Sequence, residues 1–351
     1  MGLSKFLHAF STSFNSGRSL HPLLLVALVC LISFLTTSIA FGQEPQTDDE
    51  VLRVNTDLLI FPIRVRNKDK QPVESLSEKE LTLVDKDQVT AGLYLHKGVD
   101  RVAMVFALDQ SGSTQQIILQ QRDAALGLLN RFGEQSQIAI LRFTAMPKLV
   151  FEFGRDISAA REAFNFQAGE NQRTAIFDAA ELAVKSFQAL PRIRSERRIV
   201  ILISDGLDNA SSRKAGDVIK AAIKDRVSFY VIHFPLFTPG DGRLIVRPPA
   251  NGFRDLAQKT GGKYFLARDA RSALAPETNI DLAPVFKAIE DDLKSQYLLG
   301  FYLKESANDG RGHKFSLSVP KDFEYQIIGR DFARDHDFFV ANPREFLRRT
   351  Q

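Results

Sequence analysis

Asp109-Gln110-Ser111-Gly112-Ser113 sets one carboxylate and two hydroxyls within five residues. All three are oxygen donors, the ligands that hard divalent cations take. The D-x-S-x-S spacing also has a plainer explanation, because Ser111 or Ser113 could cap a following helix. Two further oxygen-bearing segments bear on the choice. The stretch Gly169-Glu170-Asn171-Gln172-Arg173-Thr174 ends in a hydroxyl, and Asp205-Gly206-Leu207-Asp208-Asn209 opens on a carboxylate. Thr174 can cap the helix after it or present its hydroxyl to a cation. Asp205 reads singly as a turn residue before Gly206, and Asp208 as a turn residue or a support for the ligands from outside.

These segments need a frame that brings them together. Arg101–Leu108, RVAMVFAL, is a near-continuous apolar run, as expected of a strand buried on both faces. It runs straight into Asp109. Residues Ile117–Phe132 have helical periodicity, with Ile118, Ala125, Leu129 and Phe132 on one face. Gln137–Phe143 and Lys148–Phe153 read as strands, Thr174–Leu190 as a helix and Arg198–Ser204 as another buried strand. Lys214–Asp225, Phe253–Thr260 and Pro284–Gln296 follow as helices, with strands at Ser228–His233 and Tyr264–Ala267. The alternation predicts an α/β fold: a mostly parallel sheet with helices on both faces. Such sheets bind ligands beyond the carboxyl ends of their strands. Asp109 and Asp205 both fall there.

At this point the sequence resembles a von Willebrand factor type A (VWA) domain, a Rossmann-like fold. That family's metal-ion-dependent adhesion site consists of D-x-S-x-S, then a Thr, then an Asp, on three loops. Asp109, Ser111, Ser113, Thr174 and Asp205 match all five positions. Thr174-Ala175-Ile176-Phe177-Asp178-Ala179, Ile201-Leu202-Ile203-Ser204-Asp205-Gly206 and Thr260-Gly261-Gly262-Lys263-Tyr264-Phe265 resemble three further family segments. The resemblance covers residues 100–296. It implies that the five residues hold Mg²⁺ (or Mn²⁺ or Ca²⁺), directly or through water, with one position open to an Asp or Glu of a partner protein. It also implies a binding module rather than an enzyme.

The flanks read as β structure. In residues 51–98, Asp57–Arg66, Leu81–Val84 and Gly92–His96 are strand candidates, and residues 297–330 hold three more. The two flanks are expected to pair into a small β-sandwich beside the α/β domain, since domain termini often lie close together. The leader resembles that of exported bacterial "VWFA-related, acidobacterial" proteins, with Ser75, Glu80 and Gln88 where that pattern has two Gly and an Asp. Residues 43–50 read as a linker and 331–351 as a polar tail.

The N-terminus, residues 1–42, looks like an export signal. Lys5 and Arg18 precede the apolar run Leu23–Leu35, and Ser38 and Ala40 are spaced as a cleavage site. If uncleaved, residues 23–41 are long enough to anchor the chain in a membrane. Cys30, the sole cysteine, lies in that run, so the mature chain has neither disulfide nor thiolate chemistry. From Gln43 onward there are 44 basic and 42 acidic side chains, which gives nucleic-acid binding no electrostatic case.

Other chemistry is poorly supported. None of the six histidines falls in a zinc spacing, and there is no G-x-S-x-G elbow and no phosphate-binding glycine loop after a strand. His233, at a strand end, reads as structural. Glu290-Asp291-Asp292 reads as a solvated helix face. The Pro- and Gly-rich stretch Pro235–Gly252 is a long loop, a contributor to partner choice or a neutral insertion. The function expected is an exported, metal-dependent protein-binding module in the periplasm, cell envelope or secreted fraction of a bacterium. The alternative is an assembly, maturation or sensing subunit of an envelope complex that uses the same site.

Overall fold

The structure is a computed structural model. It describes residues 58–85, 88–89, 92–99, 101–167, 173–193, 196–240, 243–267, 280–303, 311–329 and 334–340. The expected export signal and linker lie outside these residues. No helix among the described residues is long and apolar enough to cross a membrane.

Four strands come first: β1 Leu58–Asn67, β2 Thr82–Asp85, β3 Gln88–Val89 and β4 Leu93–Lys97. The α/β array follows: β5 Arg101–Asp109, α1 Gly112–Leu129, β6 Gln137–Phe143, β7 Lys148–Gly154, α2 Ile157–Ala163, α3 Ile176–Ser186, β8 Glu196–Ser204, α4 Ala215–Lys224 and β9 Val227–His233. It continues with β10 Phe237–Gly240, β11 Arg243–Val246, α5 Phe253–Thr260, β12 Tyr264–Leu266 and α6 Ala283–Lys294. The chain closes with β13 Gln296–Tyr302, β14 His313–Ser318, β15 Phe323–Ile327 and β16 Asp335–Val340.

The central sheet has the order β12-β9-β8-β5-β6-β7. Every neighbouring pair is parallel except β6–β7. The apolar run in β5 shows why it lies at the centre. Val102, Met104, Phe106 and Leu108 enter one core layer, with α1, α2 and α6. Ala103, Val105 and Ala107 enter the other, with α3, α4 and α5. A period of two with both sets apolar buries both faces. The chain moves from β5 to β6 in one direction and from β8 to β9 in the other. The reversal lies between β5 and β8, so their carboxyl ends flank the crevice where such folds bind ligands.

The flanking segments form two antiparallel four-stranded sheets, β15-β1-β13-β4 and β16-β14-β2-β3. Each mixes N-terminal and C-terminal strands. Leu59, Phe61, Ile63, Tyr297 and Phe301 from the first share one core with Leu83, Phe315 and Leu317 from the second, so the sheets pack face to face. The fold is therefore a Rossmann-like α/β domain with a small β-sandwich built from the two flanks.

Three readings need correction. Within the segment expected to be a polar tail, Asp335–Val340 is a strand paired with β14, from His313↔Val340 to Ser318↔Asp335. Its apolar end, Phe338-Phe339-Val340, completes an edge that composition alone did not reveal. Glu290-Asp291-Asp292 is not a solvated face: Glu290 and Asp292 are buried, and Asp292 is ion-paired to Arg64 of β1. The long stretch after β9 carries a β-hairpin, β10–β11.

Candidate metal site

Asp109 is the last residue of β5 and is fully buried. Its Oδ1 accepts a hydrogen bond from the Ser111 amide at 2.9 Å, which fixes the carboxylate against the loop that follows. Its Oδ2 accepts from the Ser204 hydroxyl at 2.6 Å. Ser204 ends the neighbouring strand β8 and immediately precedes Asp205. The two strand ends are thereby locked together through a side-chain contact spanning 95 residues. Thr114 Oγ1 donates to the Asp109 carbonyl at 2.6 Å and tightens the same loop.

Ser111 occupies the N-cap position of α1, yet its side chain makes no capping bond. The capping alternative is therefore not how its hydroxyl is used; it lies 3.2 Å from Thr114 Oγ1. Ser113 lies in the first turn of α1.

Thr174 precedes α3, whose N-cap is Ala175. The helix does not use the Thr174 hydroxyl as its cap. Asn209, on the loop after β8, holds the Thr174 backbone instead. Asn209 Oδ1 accepts from the Thr174 amide at 2.8 Å, and the Thr174 carbonyl accepts from the amides of Asn209 and Ala210. Ala175 in turn donates to the Thr144 carbonyl beyond β6. The exposed amides at the start of α3 are met from the same loop. Phe177 N donates to Asp208 Oδ2 and Ser211 Oγ, and Asp178 accepts from the amides of Ser212 and Arg213. Asp208 thus closes the helix N-terminus and supports the loop behind Asp205.

Asp205 is buried, with its Oδ1 accepting from the Leu207 amide at 2.9 Å. Its carbonyl faces His233 Nε2 at 2.8 Å, and His233 Nδ1 faces the Tyr264 hydroxyl. A carbonyl only accepts, so Nε2 carries the proton. Burial lowers the ring's pKa and keeps it neutral, which leaves Nδ1 to accept from Tyr264. His233 is structural in this sense: it holds the backbone that carries Asp205. Gly206 has φ +82°, and a Cβ there would lie 2.8 Å from Pro249 Cβ and 2.9 Å from His233 Nε2. Only glycine fits that turn.

The electrostatics suit a cation. Burial raises the Asp109 pKa to about 6; the Asp205 charge pushes the same way, while the bonds from Ser204 and Ser111 oppose both. No Lys, Arg or His among the described residues forms an ion pair with Asp109. A buried carboxylate beside a second one, with hydroxyls around them, fits a hard divalent ion. Among the described residues there is no group of three or more His, Cys, Asp or Glu side chains that could hold a metal. The expected donor set has only two carboxylates, Asp109 and Asp205, and so would not form such a group.

The structure thus brings the Asp109, Thr174 and Asp205 segments together through their backbones and through Ser204. Sequence reasoning missed Ser204, Thr114 and Asn209. Ser204 had a weak signal, a polar residue closing an apolar strand just before Asp205. Thr114 and Asn209 had none.

The von Willebrand factor type A domain family matches residues 103–276. Those residues are a VWA domain. No curated protein matches the chain. Among solved structures it is similar to the conserved hypothetical protein BatB from Bacteroides thetaiotaomicron, at 20% identity and a TM-score of 0.41, covering 54% of this chain and 96% of that one. It is similar to a von Willebrand factor type A protein from Catenulispora acidiphila, at 12% identity and a TM-score of 0.42, covering 82% and 74%. It is also similar to proximal thread matrix protein 1 of the mussel byssus, solved with a zinc-occupied MIDAS motif, at 14% identity and a TM-score of 0.44, covering 61% and 50%.

Proposed function

We propose that the chain is an exported protein-binding module whose partner engages a divalent cation held by Asp109, Ser111, Ser113, Thr174 and Asp205. The observation that carries this reading is the two buried carboxylates, Asp109 and Asp205, at the carboxyl ends of the neighbouring strands β5 and β8. The ion, Mg²⁺ or alternatively Mn²⁺ or Ca²⁺, would supply a Lewis-acidic position for an Asp or Glu side chain of the partner.

The chain's own residues do the rest. Ser204 and the Ser111 amide hold the Asp109 carboxylate in one orientation. Asn209 and Asp208 fix the Thr174 loop and the α3 N-terminus to the Asp205 loop. The hydroxyl donors are neutral, so the two carboxylates alone offset the ion's charge and leave it attractive to a third. Met146, 82% exposed on the turn between β6 and β7, offers an apolar contact on the same end of the sheet. The signal-like N-terminus supports placement outside the bacterial cytoplasm. No catalytic role is assigned.

The test is retention of envelope proteins on the immobilised chain in Mg²⁺, in chelator, and with Asp109→Ala. The reading expects a protein retained in Mg²⁺ and lost in both other arms. Identical retention in all three arms would overturn it.

A further inference from the structure

The opposite end of the central sheet holds a cavity of about 110 Å³, between β8, β9 and the end of α4 on one side and β1 and β15 on the other. A single water needs only about 10–15 Å³ of such space. Arg197, Arg226 and Ser228 line it together with Phe61, Ile223 and Ile327, and none of its lining residues is acidic.

Arg197 is the informative residue. It is 3% exposed, and its Nε has no hydrogen-bond partner. Its one described side-chain bond is a long one, Nη2 to Ser228 Oγ at 3.4 Å. Buried guanidinium groups are ordinarily fully bonded and paired. The carboxylate that acts on it, Asp292, is already in use: it pairs with Arg64 at 2.6 Å and Lys263 at 2.8 Å and accepts from Tyr230 at 2.8 Å. Burial, then the like charge of Arg64, lowers the Arg197 pKa to about 10 against the pull of Tyr230 and Asp292. Arg226, on the turn before β9, lines the same space, with Nη1 3.5 Å from the Ile60 carbonyl. The cavity therefore has a cationic floor, two hydroxyl side chains, Ser228 and Thr260, and mainly apolar walls. Ile223, 45% exposed, stands at its rim.

We propose that this cavity binds a small organic carboxylate, its oxygens on Arg197 and Arg226 and its apolar body against Phe61, Ile223 and Ile327. Guanidinium groups match carboxylates with paired, charge-assisted hydrogen bonds. The apolar walls favour a carboxylate with a hydrocarbon body over a bare inorganic anion, which would leave those walls without contacts. The inference is independent of the metal site.

The test is calorimetric titration of the whole chain with butyrate, in chelator so that no cation can hold the carboxylate at the other end of the sheet. Butanol and inorganic phosphate are titrated in parallel. Saturable butyrate binding is expected, with no saturable butanol binding and weaker phosphate binding. Arg197→Gln and Arg226→Gln should each weaken butyrate at least tenfold, with folding checked by thermal denaturation. If Arg197→Gln fails to fold, Arg226→Gln carries the test. Absence of saturable butyrate binding, phosphate binding tighter than butyrate, or butyrate affinity unchanged in Arg226→Gln would each overturn the proposal.

Discussion

The two ends of the central sheet carry opposite charge problems. At the carboxyl ends of β5 and β8, two buried carboxylates lie together, and Asp109 has no described cation paired with it. At the other end, Arg64, Lys263 and Arg197 gather around Asp292, which the first two share as an ion-pair partner. The chain meets the Asp292 charge with its own cations. Asp292 comes from α6 and Arg64 from β1, so the pair fastens the α/β domain to the β-sandwich that covers this end. At the first end the loop backbones are fixed, and the Asp205 charge acts on the Asp109 carboxylate. At one end a buried carboxylate is met by cations of the chain itself; at the other, Asp109 has none among the described residues.

The largest test of that contrast is a pair of substitutions. Asp292→Ala leaves Arg64 and Lys263 buried or half-buried without their shared carboxylate, and breaking a buried pair from one side costs about 3–5 kcal/mol. Asp109→Ala, measured without metal, removes one of two mutually repelling carboxylates and should cost much less. Urea unfolding of both variants in chelator gives the comparison. Equal losses would erase the distinction between the two ends.

A smaller effect is expected at Gly206. Its φ of +82° and the close approach of Pro249 and His233 predict that Gly206→Ala costs about 1–3 kcal/mol in strain. It should also displace Asp205. Thermal unfolding reads the first effect, and Mg²⁺ affinity reads the second. A variant that kept full stability would show that the turn tolerates a side chain.

The smallest effect concerns pH. Burial alone would raise the Asp292 pKa, but Arg64, Lys263 and the Tyr230 hydroxyl bring it below the ordinary carboxylate value. A carboxylate lowered in the folded state adds stability that is complete above its unfolded pKa, about 3.9, and lost as pH falls through the folded value. Unfolding free energy should therefore fall below about pH 4, less steeply in Asp292→Asn than in the natural chain. Equal slopes would mean that this pair does not govern acid stability.

Much of the α/β frame was legible because its signals are local. The apolar run of β5, the helical stripes of α3 and α6 and the strand-end position of Asp109 are each visible within about twenty residues. The D-x-S-x-S, Thr and Asp spacing became a candidate site once those elements were placed in a parallel sheet. What escaped reading was non-local. Asp292 reads as solvated until Arg64, 228 residues away, is brought against it. Ser204 gains a role only because β8 lies beside β5. β16 was hidden in polar composition because the edge of β14, which it completes, is a property of the assembled sheet.

We propose that the carboxyl end of the sheet takes a cation. Calorimetric titration of Mg²⁺ and Mn²⁺ into the natural chain and into Asp109→Ala tests it most directly. One saturable site is expected in the natural chain and none in the variant. Equal binding by both proteins, or no saturable binding of either ion by the natural chain, would contradict it.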